Sequence, residues 1–114
     1  MKKLIMAILL SVAVPAIAQA KPATCLLEED GKTLYKGKCN FNAEKGGSFW
    51  LSHPNIEKEL DLESIAVWID YKDHATVNVA KVSGGAIEWG KFVRSQKQKA
   101  CWVNDWYKIC AWAQ

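Results

Sequence analysis

Beyond the first 20 residues, apolar and polar side chains alternate with a period of two, in short runs separated by turn dipeptides. This is the pattern of half-buried strands. Thr24 to Glu29 leads into Asp30-Gly31, a strong turn pair. Thr33 to Phe41 continues with Leu34, Tyr35 and Phe41 apolar, and Gly46-Gly47 breaks the chain ahead of Ser48-Phe49-Trp50-Leu51. In Ser64 to Tyr71, Ile65, Val67 and Ile69 alternate against Ala66, Trp68 and Asp70. In Ala75 to Val82, Val77, Val79 and Lys81 oppose Thr76, Asn78 and Ala80. Ser83-Gly84-Gly85 turns the chain into Ala86 to Arg94, where Gly90 marks a bulge or a close backbone approach.

The end of the chain reads as a hairpin. Ala100 to Val103 runs into Asn104-Asp105, and Trp106 to Trp112 returns. A four-residue loop from Asn104 to Tyr107 places Cys101 opposite Cys110 and makes Trp102 and Ile109 cross-strand neighbours. Ser52-His53-Pro54-Asn55 has loop composition. Ile56 to Leu62 fits neither period cleanly and allows a short helix near 56–64. The pattern predicts an all-β domain, a small antiparallel β-barrel or sandwich of seven to eight short strands. An α+β variant with that one helix is the alternative.

The N-terminal segment has a different character. Lys2 and Lys3 precede an almost continuously apolar run from Leu4 to Ile17, and Ala18-Gln19-Ala20 supplies small residues where a signal peptidase reads. This is the three-part secretory pattern, with cleavage expected after Ala20. The run is short of the roughly 20 residues a membrane-spanning helix needs. Cys25 lies beyond Lys21-Pro22-Ala23-Thr24, so lipid attachment at a cleavage-site cysteine does not fit. The expected organisation is a cleaved signal over 1–20 and a single domain over 21–114, exported to the periplasm or secreted, without membrane insertion. Losing Lys2 and Lys3 takes the chain from 15 to 13 basic residues against 12 acidic ones, a net charge of +1. Nucleic-acid binding needs a concentrated positive surface, and none is expected.

An exported chain with four cysteines, Cys25, Cys39, Cys101 and Cys110, reads as a disulfide framework. Of the three possible pairings, Cys25–Cys39 with Cys101–Cys110 is favoured, because each pair is close along the chain and the second flanks the hairpin. Zinc sites favour a C-x2–4-C spacing and redox sites C-x-x-C; neither occurs here.

Trp89-Gly90-Lys91-Phe92-Val93-Arg94, Ala100-Cys101-Trp102-Val103-Asn104 and Ile109-Cys110-Ala111-Trp112 together resemble a C-terminal signature of small exported bacterial proteins of no assigned function. Lys36-Gly37-Lys38-Cys39 resembles the early cysteine turn of that family. The likeness covers about a third of the domain. It departs at Ser95 to Lys99, where the relatives carry a short Asp-Gly. It implies a shared disulfide-bonded β fold and no activity.

Catalytic candidates are sparse. His53 adjoins Ser52, a placement that points the two side chains apart, and no nucleophile elbow surrounds any serine. Asp70, Asp73 and His74 form a compact group that reads as a solvated turn rather than a metal site. Glu57, Glu59, Asp61 and Glu63 would line the wet side of an edge strand. Neither enzymatic activity, metal nor cofactor is expected. The unusual feature is six tryptophans. Some belong to the core. Trp106 and Trp112 share the face of the Cys101–Cys110 bridge, and Trp102 opposes them. Lys91, Arg94, Lys97 and Lys99 form a basic stretch without acids. Trp102, Trp106, Trp112, Lys91 and Arg94 are therefore the candidate partner-binding residues. The expected function is non-enzymatic binding of a protein partner, as an inhibitor or immunity protein does. The alternative is carbohydrate or peptidoglycan binding through exposed tryptophans.

Overall fold

A computed structural model describes residues 20–114. The secretory segment expected over 1–20 lies outside the described residues, apart from Ala20. Eight strands follow one another: β1 (Lys21–Glu29), β2 (Lys32–Ala43), β3 (Phe49–Ser52), β4 (Leu62–Tyr71), β5 (His74–Lys81), β6 (Ala86–Arg94), β7 (Cys101–Val103) and β8 (Tyr107–Ala113). A 3-10 turn, Lys45–Gly47, precedes β3, and one helix, α1 (Pro54–Leu60), joins β3 to β4. Each strand pairs antiparallel with the next, and β8 returns to β1, so the sheet is a closed barrel. Of the two expected architectures, the barrel is the one formed.

The period-two pattern fills the interior. Ala23, Cys25 and Leu27 on β1, Ile65 and Val67 on β4, and Val77 and Val79 on β5 all point into one core with Phe92, Trp102 and Ile109. Asp30 and Gly31 both have positive φ, 53° and 80°, as a two-residue type I′ hairpin turn requires.

The helix begins and ends earlier than expected. Pro54, which reads as a loop residue, occupies the first turn, where its missing N–H costs nothing. His53 caps the helix, its Nδ1 accepting from the Asn55 N–H at 3.1 Å. Asp61 closes it in the left-handed conformation, and its N–H donates to the Glu57 carbonyl. Leu62 and Glu63 already belong to β4, so the acidic residues 57–63 do not share a strand face: Glu57 and Glu59 are helical, Asp61 is the cap and Glu63 is on a strand. Ile56 is fully buried in the core, so α1 plugs one end of the barrel.

Both disulfides are formed as the spacing favoured. Cys25–Cys39 bridges β1 and β2 inside the core, on the diagonal between the Cys25–Gly37 and Ala23–Cys39 pairs. Cys101–Cys110 joins directly opposed residues of β7 and β8, and Trp102 faces Ile109 as the hairpin register predicted.

The weakest joint lies between β6 and β7, which share two residue pairs. Beside it, β6 bulges where Val77 pairs with Gly90 but Asn78 pairs with Glu88, leaving Trp89 as the extra residue. Gly90 has φ 100°, which side-chain-bearing residues rarely adopt. The bulge places Trp89 against the core, with its ring 4.0 Å from that of Tyr107 and nearly parallel to it. This stack seals the seam that β7 is too short to cover.

Two outcomes are predicted. Ile56→Ala should cost about 2–5 kcal/mol in a urea melt, whereas Ile87→Ala, at an exposed site, should stay within about 0.5 kcal/mol. Replacing Cys25 and Cys39 together by alanine should cost about 3 kcal/mol, the chain-entropy value for a loop of this length; an unchanged melt would show that the bridge constrains nothing.

Candidate functional site

The expected binding residues separate into two groups. Lys91 and Trp106 lie on or beside the outer face of β4–β7. Arg94, Trp102 and Trp112 belong to the end of the barrel opposite α1.

On the outer face, cross-strand pairing brings Tyr71, His74, Val93 and Val103 into one row, each paired directly with the next. The Tyr71 and His74 rings stack at 4.3 Å. Trp106 is 64% exposed and Tyr71 65%, and Trp68 and Val93 are also exposed. A hollow of about 490 Å³ lies between His74, Val93, Val103 and Trp106. A smaller one of about 230 Å³, between Asp70, Tyr71 and Lys91, shares His74 and Lys91 with it. Exposed apolar surface gathered in one place marks interaction sites more often than scattered residues do.

Trp106 is held by its turn. Asn104 Oδ1 accepts from the N–H groups of Trp106 and Tyr107 at 2.9 and 2.7 Å, and its Nδ2 donates to the Trp89 carbonyl at 3.1 Å. The Asp30 N–H donates to the Trp106 carbonyl at 2.7 Å. The ring therefore projects from a fixed backbone. Burial pushes the Tyr107 phenol up from its ordinary value, with the Glu29 charge adding to the effect.

A polar cluster sits inside this apolar surface. Thr76 Oγ1 donates to Asp70 Oδ2 at 2.7 Å, and Lys91 Nζ donates to Thr76 Oγ1 at 2.8 Å. Lys91 also pairs with Asp70 at 3.5 Å. The Thr76 hydrogen bond, followed by the charges of Lys91 and His74, holds the Asp70 carboxyl below the usual aspartate range, against an opposing effect of burial. Asp73, close by in sequence, turns away to pair with Arg94. Asp70 thus bonds to Thr76 and Lys91, Asp73 to Arg94, and His74 stacks on Tyr71, and no group of three or more potential metal ligands converges among the described residues.

At the far end, Trp102 is 2% exposed and so belongs to the core rather than to a solvent-facing anchor. Its position opposite Ile109, which points inward, requires this. Arg94 lies over it, with Cζ 4.6 Å from the ring centre. Trp112 is half-buried and lines a hollow of about 300 Å³ with Phe41 and Ala111.

Sequence reading passed over Trp68, Tyr71, Val93 and Val103 as site residues. Alternation within β4 puts Trp68 outward but gives Tyr71 the inward parity of Ile65, Val67 and Ile69; the register shift between Ile69 and Tyr71 turns it outward, and the adjacency of the row depends on pairing across four strands. Among the described residues no helix is long and apolar enough to cross a membrane. No family model, curated protein or solved structure matches this chain.

Removing the Thr76 hydroxyl should release Asp70. In Thr76→Val, the carboxyl ¹³C titration of Asp70 is predicted to shift upward, back toward the ordinary aspartate range, with Lys91 and His74 still holding it down in part. Because the folded value is depressed, the stability linked to Asp70 is present above its unfolded value and lost as pH falls through the folded one. An unmoved titration would refute the role given to Thr76.

Proposed function

We propose that this protein is an exported, non-enzymatic binding module of the periplasm or secreted fraction, which docks onto another protein through the outer face of β4–β7. The observation that carries this reading is the cross-strand row Tyr71, His74, Val93 and Val103, in which Tyr71 and Val93 are exposed and His74 and Val103 half-buried, flanked by the exposed Trp68 and Trp106. Aromatic side chains on a fixed backbone are the usual anchors of protein interfaces. A closed barrel with two disulfides loses little conformational entropy when it docks, so more of the contact energy appears as affinity. The Asp70–Thr76–Lys91 cluster gives the apolar face a polar centre that discriminates among partners. An inhibitor or immunity-type role fits a rigid face of this kind.

Carbohydrate binding is the second reading, favoured by the Tyr71–His74 stack and Trp106 standing on either side of a hollow with carboxylate and ammonium groups nearby. The same experiment separates the two. The oxidised protein is immobilised and exposed to envelope extract containing soluble proteins and wall fragments. One protein retained near stoichiometrically, and lost at least tenfold in Trp106→Ala and Tyr71→Ala but not in Lys36→Ala, supports the docking face. Each aromatic truncation should cost about 2 kcal/mol of binding. Wall fragments retained in place of a protein, with the same dependence on Trp106, overturn the protein reading in favour of sugar. Retention that ignores both aromatic substitutions overturns the face itself.

A further inference from the structure

The two ends of the barrel differ in kind. The α1 end is plugged by Ile56, and its rim carries Glu29, Asp30, Glu57, Glu59, Asp61 and Glu63 against Lys32, Lys58 and Lys81. Among the described residues, no element crosses the opposite mouth; the turn at 45–47 and the segment 95–100 run beside it. That mouth and its turns carry Lys21, Lys45, Lys72, Arg94, Lys97 and Lys99, against Glu44 and Asp73.

Two hollows open there. One, of about 300 Å³, lies among Lys21, Phe41, Ala111 and Trp112. The other, of about 230 Å³, lies among Phe41, Phe49, Arg94, Lys99 and Trp102. They meet at Phe41 and Ala111. Their floor is apolar: the Phe41 and Phe49 rings stack at 4.8 Å, and Trp102 closes the core below Arg94. The guanidinium is fixed from two sides. Nε donates to Asp73 Oδ1 at 3.1 Å and Nη1 to the Lys99 carbonyl at 3.0 Å, so Nη2 has no protein acceptor among the described residues. Lys21 and Lys99 form no ion pair among the described residues.

An apolar floor beneath a positioned cation, with two further cations at the rim, is complementary to a molecule with an apolar body and one negative head. We propose that the open mouth of the barrel binds a small free carboxylate carrying a single aromatic ring. Its ring lies on Phe41 and Phe49, and its carboxylate reaches Arg94 Nη2 and the ammonium groups of Lys21 or Lys99. Each hollow is at or below the lower bound of drug-sized sites, about 300 Å³. That size suits one ring rather than a lipid tail or a glycan. Asp73 neutralises part of the Arg94 charge, so the affinity depends on the lysines as well. This site is separate from the outer face, and the two stand or fall independently.

The test uses the purified, oxidised protein and 3-phenylpropionate, followed by tryptophan fluorescence and calorimetry. A ligand of this size is expected to bind with a dissociation constant of about 0.1–1 mM. The neutral 3-phenylpropionamide should bind at least tenfold more weakly. Arg94→Gln should weaken the acid at least tenfold, and Trp106→Ala should leave it unchanged. Because Arg94 also ties down Asp73 and the 95–100 segment, Ala111→Leu is the second variant. It fills the junction of the two hollows without touching Arg94, and should abolish binding with no fall in melting temperature. No saturable binding up to about 10 mM would overturn the proposal. So would equal binding of acid and amide, or association with phosphatidylglycerol vesicles while the free acid does not bind.

Discussion

β6 and β7 meet through only two residue pairs, Val93 with Val103 and Arg94 with Trp102, and the barrel is closed only while that joint holds. A circle of strands has no free edge, but a single failed pairing gives it two. Most of the unusual residues of the C-terminal third act at this point. The Cys101–Cys110 bridge locks short β7 onto β8, which is itself paired along its length with β1. Trp89, turned inward by the bulge at Gly90, lies on Tyr107 and covers the core where β7 ends. Arg94 joins the joint to the β4–β5 turn: its N–H donates to the Asp73 carbonyl, and its side chain reaches the Asp73 carboxylate.

The sequence was most informative where one residue's environment is decided by its neighbours along the chain. Alternation in β4 and β5 fixed which side chains enter the core, and the hairpin arithmetic around Asn104 placed Cys101 against Cys110 and Trp102 against Ile109. Gly90 as a bulge was readable because an isolated glycine inside a strand pattern has few other uses. The helix was legible only as an ambiguity. Pro54 signals a break when read alone, and only the His53 cap ahead of it and the left-handed Asp61 after it make it a first-turn residue.

The candidate sites were harder to read, for a geometric reason. Lys91 and Arg94 are three positions apart on one strand, as are residues on opposite sides of a sheet. Lys91 stands on the outer face beside Thr76, while Arg94 shares the inward parity of Phe92 and lies over Trp102 at the mouth. A charge run in the sequence therefore became two unrelated surfaces. Three of the six tryptophans divided in the same way: Trp102 went to the core, Trp89 to the seam, and Trp106 to the tip of a turn held by Asn104. The outer row from Tyr71 to Val103 could be assembled only from the register of four strands.

The distribution of charge between the two rims has a consequence for how this molecule meets anything else. Residues 21–114 carry 13 basic against 12 acidic side chains, so the barrel feels little overall pull from a charged surface. The acidic helix rim and the basic mouth nevertheless give the barrel an electric dipole along its axis. A field from an anionic polymer or a charged partner then acts as a torque. It turns the mouth toward negative charge before contact and leaves the flank presented sideways. That alignment operates over roughly a Debye length, about 8 Å at physiological ionic strength, and fades as salt rises.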